Sequence, residues 1–228
     1  VALGLVIFIV FVIFLVSKMP QTKADGEMPK IGETFATLAK NSKYTSGVMS
    51  QILYVGGQIM CWTYIYQYAE GIGMDSVTAG YYQMAAFVLF TVGRAFGTYL
   101  LRFVNAGKLL MLFALFAIGC TLGVVMINNV VGLYCLVGVS FFMSLMFPTI
   151  YGIALEGLGE DSKFAAAFLV MAIVGGAIMP TLQGMILDLG GNGYTDLLIL
   201  GVYEVNFSFT LPLACFLLVF IFAIRARK

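Results

Sequence analysis

The stretch KLLMLFALFAIGCTLGVVMINNVVGLYCLVGVSFFMSLMFPTIYGIAL, residues 108–155, decides the fold class. After Lys108 it contains no charged residue, and its one polar interruption is the pair Asn128 and Asn129. About 20 residues of α-helix rise roughly 30 Å, the thickness of a bilayer's hydrocarbon core. Two helices, 108–127 and 130–155, therefore cross and recross a membrane around that asparagine pair. Working outward, five more apolar spans read the same way, at residues 1–17, 45–69, 77–101, 164–187 and 205–224. The expected fold class is all-α and integral to a membrane.

The composition agrees: 61% hydrophobic, 10% charged and no histidine across 228 residues, which excludes an ordinary soluble domain. The basic residues follow the loops rather than forming a stripe, so nucleic acid is not an expected partner. Threading the spans alternately gathers all twelve Lys and Arg on one side. They are Lys18, Lys23, Lys30, Lys40, Lys43, Arg94, Arg102, Lys108, Lys163, Arg225, Arg227 and Lys228. Positive residues in short connections are retained in the cytoplasm, so that face, with the C-terminus, is expected inside. Cys61, Cys120, Cys135 and Cys215 lie within apolar spans at no metal-like spacing and read as packing residues. No metal site and no cofactor is expected.

Val1 opens the chain inside an apolar run with no basic segment before it and no small-residue cleavage site after it, so a signal peptide is not expected. It reads instead as the end of a transmembrane helix, residues 1–17. A charged linker follows at 18–43, within which Ile31, Phe35 and Leu38 recur at helical spacing and predict a short helix on the membrane face. Residues 44–228 then form a block of six spans. That layout suits half of a transporter built from two six-helix repeats, and it also suits a seven-helix receptor.

Polar residues inside the spans mark candidate sites. Gln51, Tyr54, Gln58, Trp62 and Tyr66 keep to one side of the second span, and such a stripe needs a cavity or a helix to face. Amides give and accept hydrogen bonds and an indole packs on C–H faces, which suits a sugar. The plainer alternatives are helix-to-helix bonds for Gln51 and Gln58 and an outer aromatic belt for Trp62, Tyr64, Tyr66 and Tyr68. The third span aligns Gln83, Phe87 and Phe90. The fifth carries Ser140 and Ser144, which can touch a ligand or serve close packing and bond their own backbone. Gly175, Gly176 and Pro180 allow the sixth to approach a neighbour closely and to bend.

Arg94 lies ~12 Å along its helix from Arg102, inside the apolar span. It needs an acceptor or must snorkel. Pairing with Glu156, at the cytoplasmic end of the fifth span, would make a gate, and the carbonyls of that helix end are the alternative acceptors. No Asp, Glu or His lies near a span midpoint. The spans also lack a nucleophile with an adjacent base, so an enzyme is not expected.

Four ordered segments carry a family likeness: VGGQIMCWTYIYQYAE (55–70), VGRAFGTYLLRF (92–103), FFMSLMFPTIYGIALEGLGEDSKFAAAF (141–168) and LVMAIVGGAIMPTLQG (169–184). Together they resemble the C-terminal half of the fucose/galactose/glucose:proton symporters of the major facilitator superfamily. The resemblance implies the C-terminal six-helix half of a twelve-helix transporter, preceded by one truncated helix, helix six. It implies symport of a monosaccharide, L-fucose first, with a proton, through the cytoplasmic inner membrane. A transporter of another polar solute, or a sodium-coupled hexose carrier, is the alternative. Gln58 and Trp62 match the family's amide and tryptophan, Phe90 its aromatic before the Gly-Arg pair, and Arg94 its cytoplasmic-end arginine. Gln51, Tyr54 and Ser144 complete the expected sugar-binding set, with Arg94 and Glu156 as the gate. The implied partners are the lipid bilayer, the sugar, the proton and the N-terminal half, where the family's proton-coupling carboxylates lie.

Overall fold

Short amide or carboxylate side chains start the long helices. Asn41 accepts hydrogen bonds from the backbone N–H groups of Lys43 and Tyr44, Asp75 from Thr78, Asn105 from Gly107 and Asn129 from Val131. Each satisfies donors that the first helical turn leaves without a partner. The computed structural model describes residues 8, 10–13, 31–191 and 194–227. Most of the expected first span, the linker through residue 30, and Asn192 and Gly193 of the glycine-rich turn lie outside the described residues. The chain divides into two compact units, residues 1–34 and 35–228.

The elements are α1 (Ile31–Lys40), α2 (Ser42–Thr63), α3 (Ile65–Gly71), α4 (Ser76–Leu100), α5 (Ala106–Met126), α6 (Val130–Met143), α7 (Met146–Leu155), α8 (Ser162–Met171), α9 (Gly175–Leu187), α10 (Glu204–Ser208) and α11 (Thr210–Ala226). In the second unit α4 packs on α6, α6 on α5, α5 on α11, α11 on α2, and α2 on both α7 and α9. Among the described residues, four rods are long and apolar enough to cross a membrane: Ala106–Met126, Val130–Leu155, Ser162–Leu187 and Glu204–Ala226. At 22 and 25 residues, α2 and α4 have the length as well. Their glutamines, their tyrosines and Arg94 make them less apolar than the other four.

Expected single spans are broken in several places. Tyr64 ends α2 seven residues before the close of α3, and its hydroxyl donates to the Pro180 carbonyl at 2.6 Å. Ser144 and Leu145 part α6 from α7, and a 3₁₀ turn, Ala172–Val174, parts α8 from α9. The all-α expectation also misses one feature. Leu198–Ile199 and Val202–Tyr203 form a small antiparallel hairpin in the connection between α9 and α10. Its two central residues, Leu200 and Gly201, have φ of 53° and 82°. A two-residue hairpin turn needs positive φ, and leucine gives no sequence signal for it.

Close backbone approach holds the array together, since lipid is as apolar as leucine and gives helices little hydrophobic reason to associate. The buried positions of α4 are Ala79, Ala86, Gly93 and Gly97, a stripe of small residues whose glycines meet α6 and the break that follows it. A Cβ at Gly93 would stand 2.5 Å from the Phe141 carbonyl oxygen, and one at Gly175 would stand 2.1 Å from that of Ile52. All four cysteines are free thiols, Cys61 and Cys215 fully buried among apolar neighbours. Overpacking a close-packed site costs about 1–3 kcal/mol or more. Gly175→Val should therefore lower the thermal midpoint in detergent by several degrees. Gly152→Ala, where a Cβ meets nothing within 4 Å, should leave it nearly unchanged.

Candidate functional site

One helical turn of α2 carries both Gln58 and Trp62 on one face. The indole N–H of Trp62 donates to the Ser140 hydroxyl of α6 at 3.2 Å. Phe87 and Phe90, from α4, meet the indole edge-on, each with ring centroids 5.0 Å away. With its polar hydrogen already engaged, the indole presents an oriented apolar surface. Gln58 is partly exposed, and no hydrogen bond holds its amide among the described residues. An aromatic corner beside an amide with free donors and acceptors can hold a polyhydroxylated ring, stacking its C–H face and bonding its hydroxyls. Phe87 is 46% exposed, so the corner opens outward from the bundle.

The other expected binding residues face inward. Gln51, Tyr54 and Ser144 are completely buried within the bundle and line no open surface. Tyr54 donates its hydroxyl to the Met143 carbonyl at 2.8 Å, and Ser144 donates to the Phe141 carbonyl at 2.7 Å. Gln51 has neither amide atom hydrogen-bonded among the described residues. The stripe on α2 thus divides, its lower part entering the core where α7 and α11 pack, and its upper part remaining open. Helical periodicity places residues on a face, but only the neighbouring helices decide how much of that face is covered.

The expected Arg94–Glu156 pair does not form. Arg94 donates through Nε and Nη2 to the Ser144 carbonyl, at 3.2 and 3.1 Å, and its guanidinium carbon lies 5.1 Å from the centre of the Phe90 ring. Glu156 instead accepts from Lys43 Nζ at 2.7 Å, across the start of α2 and the end of α7. The Lys43 hydrogen bond, then its charge, hold the Glu156 carboxyl below its ordinary range. The physical reason for the correction is local. Pro148 has no N–H, so the Ser144 carbonyl four residues earlier lacks its helical donor, and the guanidinium supplies two.

Glu204 immediately precedes the last expected span, 205–224, and the structure buries it completely, with neither carboxylate oxygen hydrogen-bonded among the described residues. Gly190 packs directly over that carboxyl, where any side chain would collide. Nearby on the same segment, Asn206 donates to the carbonyls of Val124 and Ile127 at 2.7 and 3.3 Å, and Tyr68 also donates to Ile127. From α9, Gln183 donates to Ser208 at 2.9 Å. The available signal was three polar residues at alternate positions, Glu204, Asn206 and Ser208, opening an otherwise apolar run.

No family model matches the chain. It is 48% identical over 230 residues to the L-fucose-proton symporter of Haemophilus influenzae, covering 100% of this chain and 52% of that protein. It is 32% identical to the L-fucose-proton symporter of Escherichia coli, over 96% of this chain and 48% of that one. A putative glucose/galactose transporter of Helicobacter pylori is 28% identical over 99% of this chain and 54% of its own length. The chain spans about half the length of the relatives it matches. Among solved structures, the crystal structure of the Escherichia coli fucose:proton symporter superposes with a TM-score of 0.83 at 30% identity, covering 97% of this chain and 52% of that one. The same symporter in its outward conformation also gives 0.83 at 30% identity, over 99% and 53%. These relatives are transporters by name, not enzymes. In sequence and in fold, this multi-pass membrane chain corresponds to the C-terminal half of a major facilitator superfamily transporter of the fucose and glucose/galactose group.

Proposed function

We propose that the chain forms one half of a secondary transporter that carries a monosaccharide, L-fucose first, together with a proton. Trp62 carries this reading. Its N–H is already bound to Ser140 and its ring is flanked by Phe87 and Phe90, so it is a preset stacking surface. Gln58, one turn away, supplies free hydrogen-bonding groups. Symport with a proton is supported by the Haemophilus influenzae and Escherichia coli relatives, both named L-fucose-proton symporters. The sugar is named from the same two relatives, and the glucose/galactose transporters support the class of hexose-like substrates.

In this reading the membrane is the cytoplasmic one, with the C-terminus inside, because the described basic residues sit at one end of the rods. Arg102, Lys108, Lys163 and Arg225 lie at span ends on the side where Lys43 meets Glu156, and Arg94 lies within its span toward that side. A second six-helix half supplies the facing wall, since transport by rocking needs two repeats around a central site. Proton coupling is assigned to that other half.

In the complete protein, Gln58→Ala and Trp62→Ala should each lower uptake of radiolabelled L-fucose at least tenfold at equal surface expression. Tyr54→Phe should leave its KM unchanged and cost about 1 kcal/mol of stability, the loss of one hydrogen bond. Unaltered uptake in both α2 alanine variants, with normal uptake in the parent, would remove Trp62 and Gln58 from the site. A parent that takes up another solute but no sugar would overturn the substrate.

The Lys43–Glu156 contact predicts a pH dependence of known sign. Because the folded carboxyl is lowered, the contact's contribution is present above the ordinary carboxylate value, about 4.3, and is lost as pH falls through the folded value. The difference in thermal midpoint between the parent and Glu156→Gln should therefore shrink as pH is lowered through 5 to about 3.

A further inference from the structure

Helix α6–α7 is broken where Pro148 removes a backbone donor, and the exposed acceptors around the break are met by side chains from three directions. Tyr54 reaches the Met143 carbonyl from α2. Ser144 turns its own hydroxyl back to Phe141. Thr149 bonds Leu145 twice, through its backbone N–H at 3.3 Å and its hydroxyl at 2.8 Å. Arg94 alone serves Ser144, with two of its N–H groups. The close approach at Gly93, where α4 nearly touches the Phe141 carbonyl, brings the arginine backbone near enough for this.

The same guanidinium lies over Phe90, and Phe90 meets Trp62 edge-on. Trp62 in turn bonds Ser140, one turn before Ser144 on the broken helix. The connections close on themselves: Ser144 to Arg94, Arg94 to Phe90, Phe90 to Trp62, Trp62 to Ser140, and Ser140 back along α6 to Ser144. Residues of α2, α4 and α6 and the break that follows α6 are joined in one circuit.

We propose that Arg94 is a positioning residue which replaces the amide that Pro148 lacks, and so fixes the bend of helix α6–α7 and the setting of Phe90 against Trp62. Arg94 acts on the aromatic corner through Phe90 and Ser144 rather than by touching sugar or by closing an ion-pair gate with Glu156. The assignment of the corner to sugar rests on the function proposed above; the circuit itself does not. An arginine is required because one carbonyl oxygen receives two donors from a single planar fork while the face of that fork covers a ring. Lysine supplies a compact ammonium without the plane.

The decisive test is a cycle of Arg94→Ala, Pro148→Ala and the double variant in the complete protein. Alanine at 148 restores the N–H that Ser144 lacks, so the helix supplies its own donor. Arg94→Ala alone should lower the thermal midpoint by several degrees and raise the KM for L-fucose uptake at least fivefold, with a smaller change in maximal rate. Arg94→Lys should recover only part of this. In the Pro148→Ala background the Arg94→Ala substitution should cost less than half as much in both readouts. Additive effects in the thermal cycle would overturn the proposal, because a packing or gating arginine gains nothing from an amide at 148. A non-additive thermal cycle without measurable sugar uptake would uphold the circuit and reject the sugar. If Pro148→Ala does not accumulate, Pro148→Leu supplies the same amide and is read in the same way.

Discussion

Inside a bilayer a backbone carbonyl has no water to turn to, and that constraint governs the arrangement of this helical array. Most carbonyls are satisfied within their own helices. The Ser144 carbonyl, freed by Pro148, is not, and it draws in Arg94 from α4, while Tyr54 from α2 bonds the neighbouring Met143 carbonyl. Side chains from two helices thereby converge on the break between α6 and α7. The aromatic corner stands on that frame, since Phe90 lies under the Arg94 guanidinium and Ser140 precedes the break by one turn.

The same constraint explains the polar residues that the bundle absorbs. Tyr64 caps Pro180 on α9, Asn206 and Tyr68 serve the carbonyl end of α5, and Gln183 bonds Ser208. None of these groups is displayed, and each ties one helix to another where a water molecule would otherwise be needed. Gln58 differs from them in holding a partly exposed amide that no neighbour uses. The contrast between spent and unspent polar groups is the best structural guide to where a solute binds. Gln51 and Glu204 stand apart from both classes, a buried amide and a carboxyl sealed by Gly190, each joined to nothing among the described residues.

Much of the candidate site was legible in the chain. Gln58, Trp62, Phe87 and Phe90 were readable because helical spacing alone puts each pair on one face of its helix. Their convergence needed only that α2 and α4 be brought together across α6. Gln51, Tyr54 and Ser144, placed in the expected sugar-binding set, are buried in the bundle, because the spacing that aligns a stripe is silent about which helix covers it. The Arg94–Glu156 pairing failed for a different reason. Charge complementarity was weighed, while the carbonyl that Pro148 leaves without a donor was not. Lys43, close in space but 113 positions away in the chain, took the carboxylate instead.

By itself the sequence determined that this chain crosses a membrane repeatedly and that its basic residues gather at one end of the spans. Those properties are local: hydropathy over ~20 residues and a charge next to a span. Tertiary structure decided which polar groups are spent and which stay free, which carboxylate meets Lys43, and that Arg94 serves a carbonyl. These outcomes depend on pairs of groups far apart in the chain. They follow from which partner, if any, the packed helices bring within 3 Å or so of each donor and acceptor.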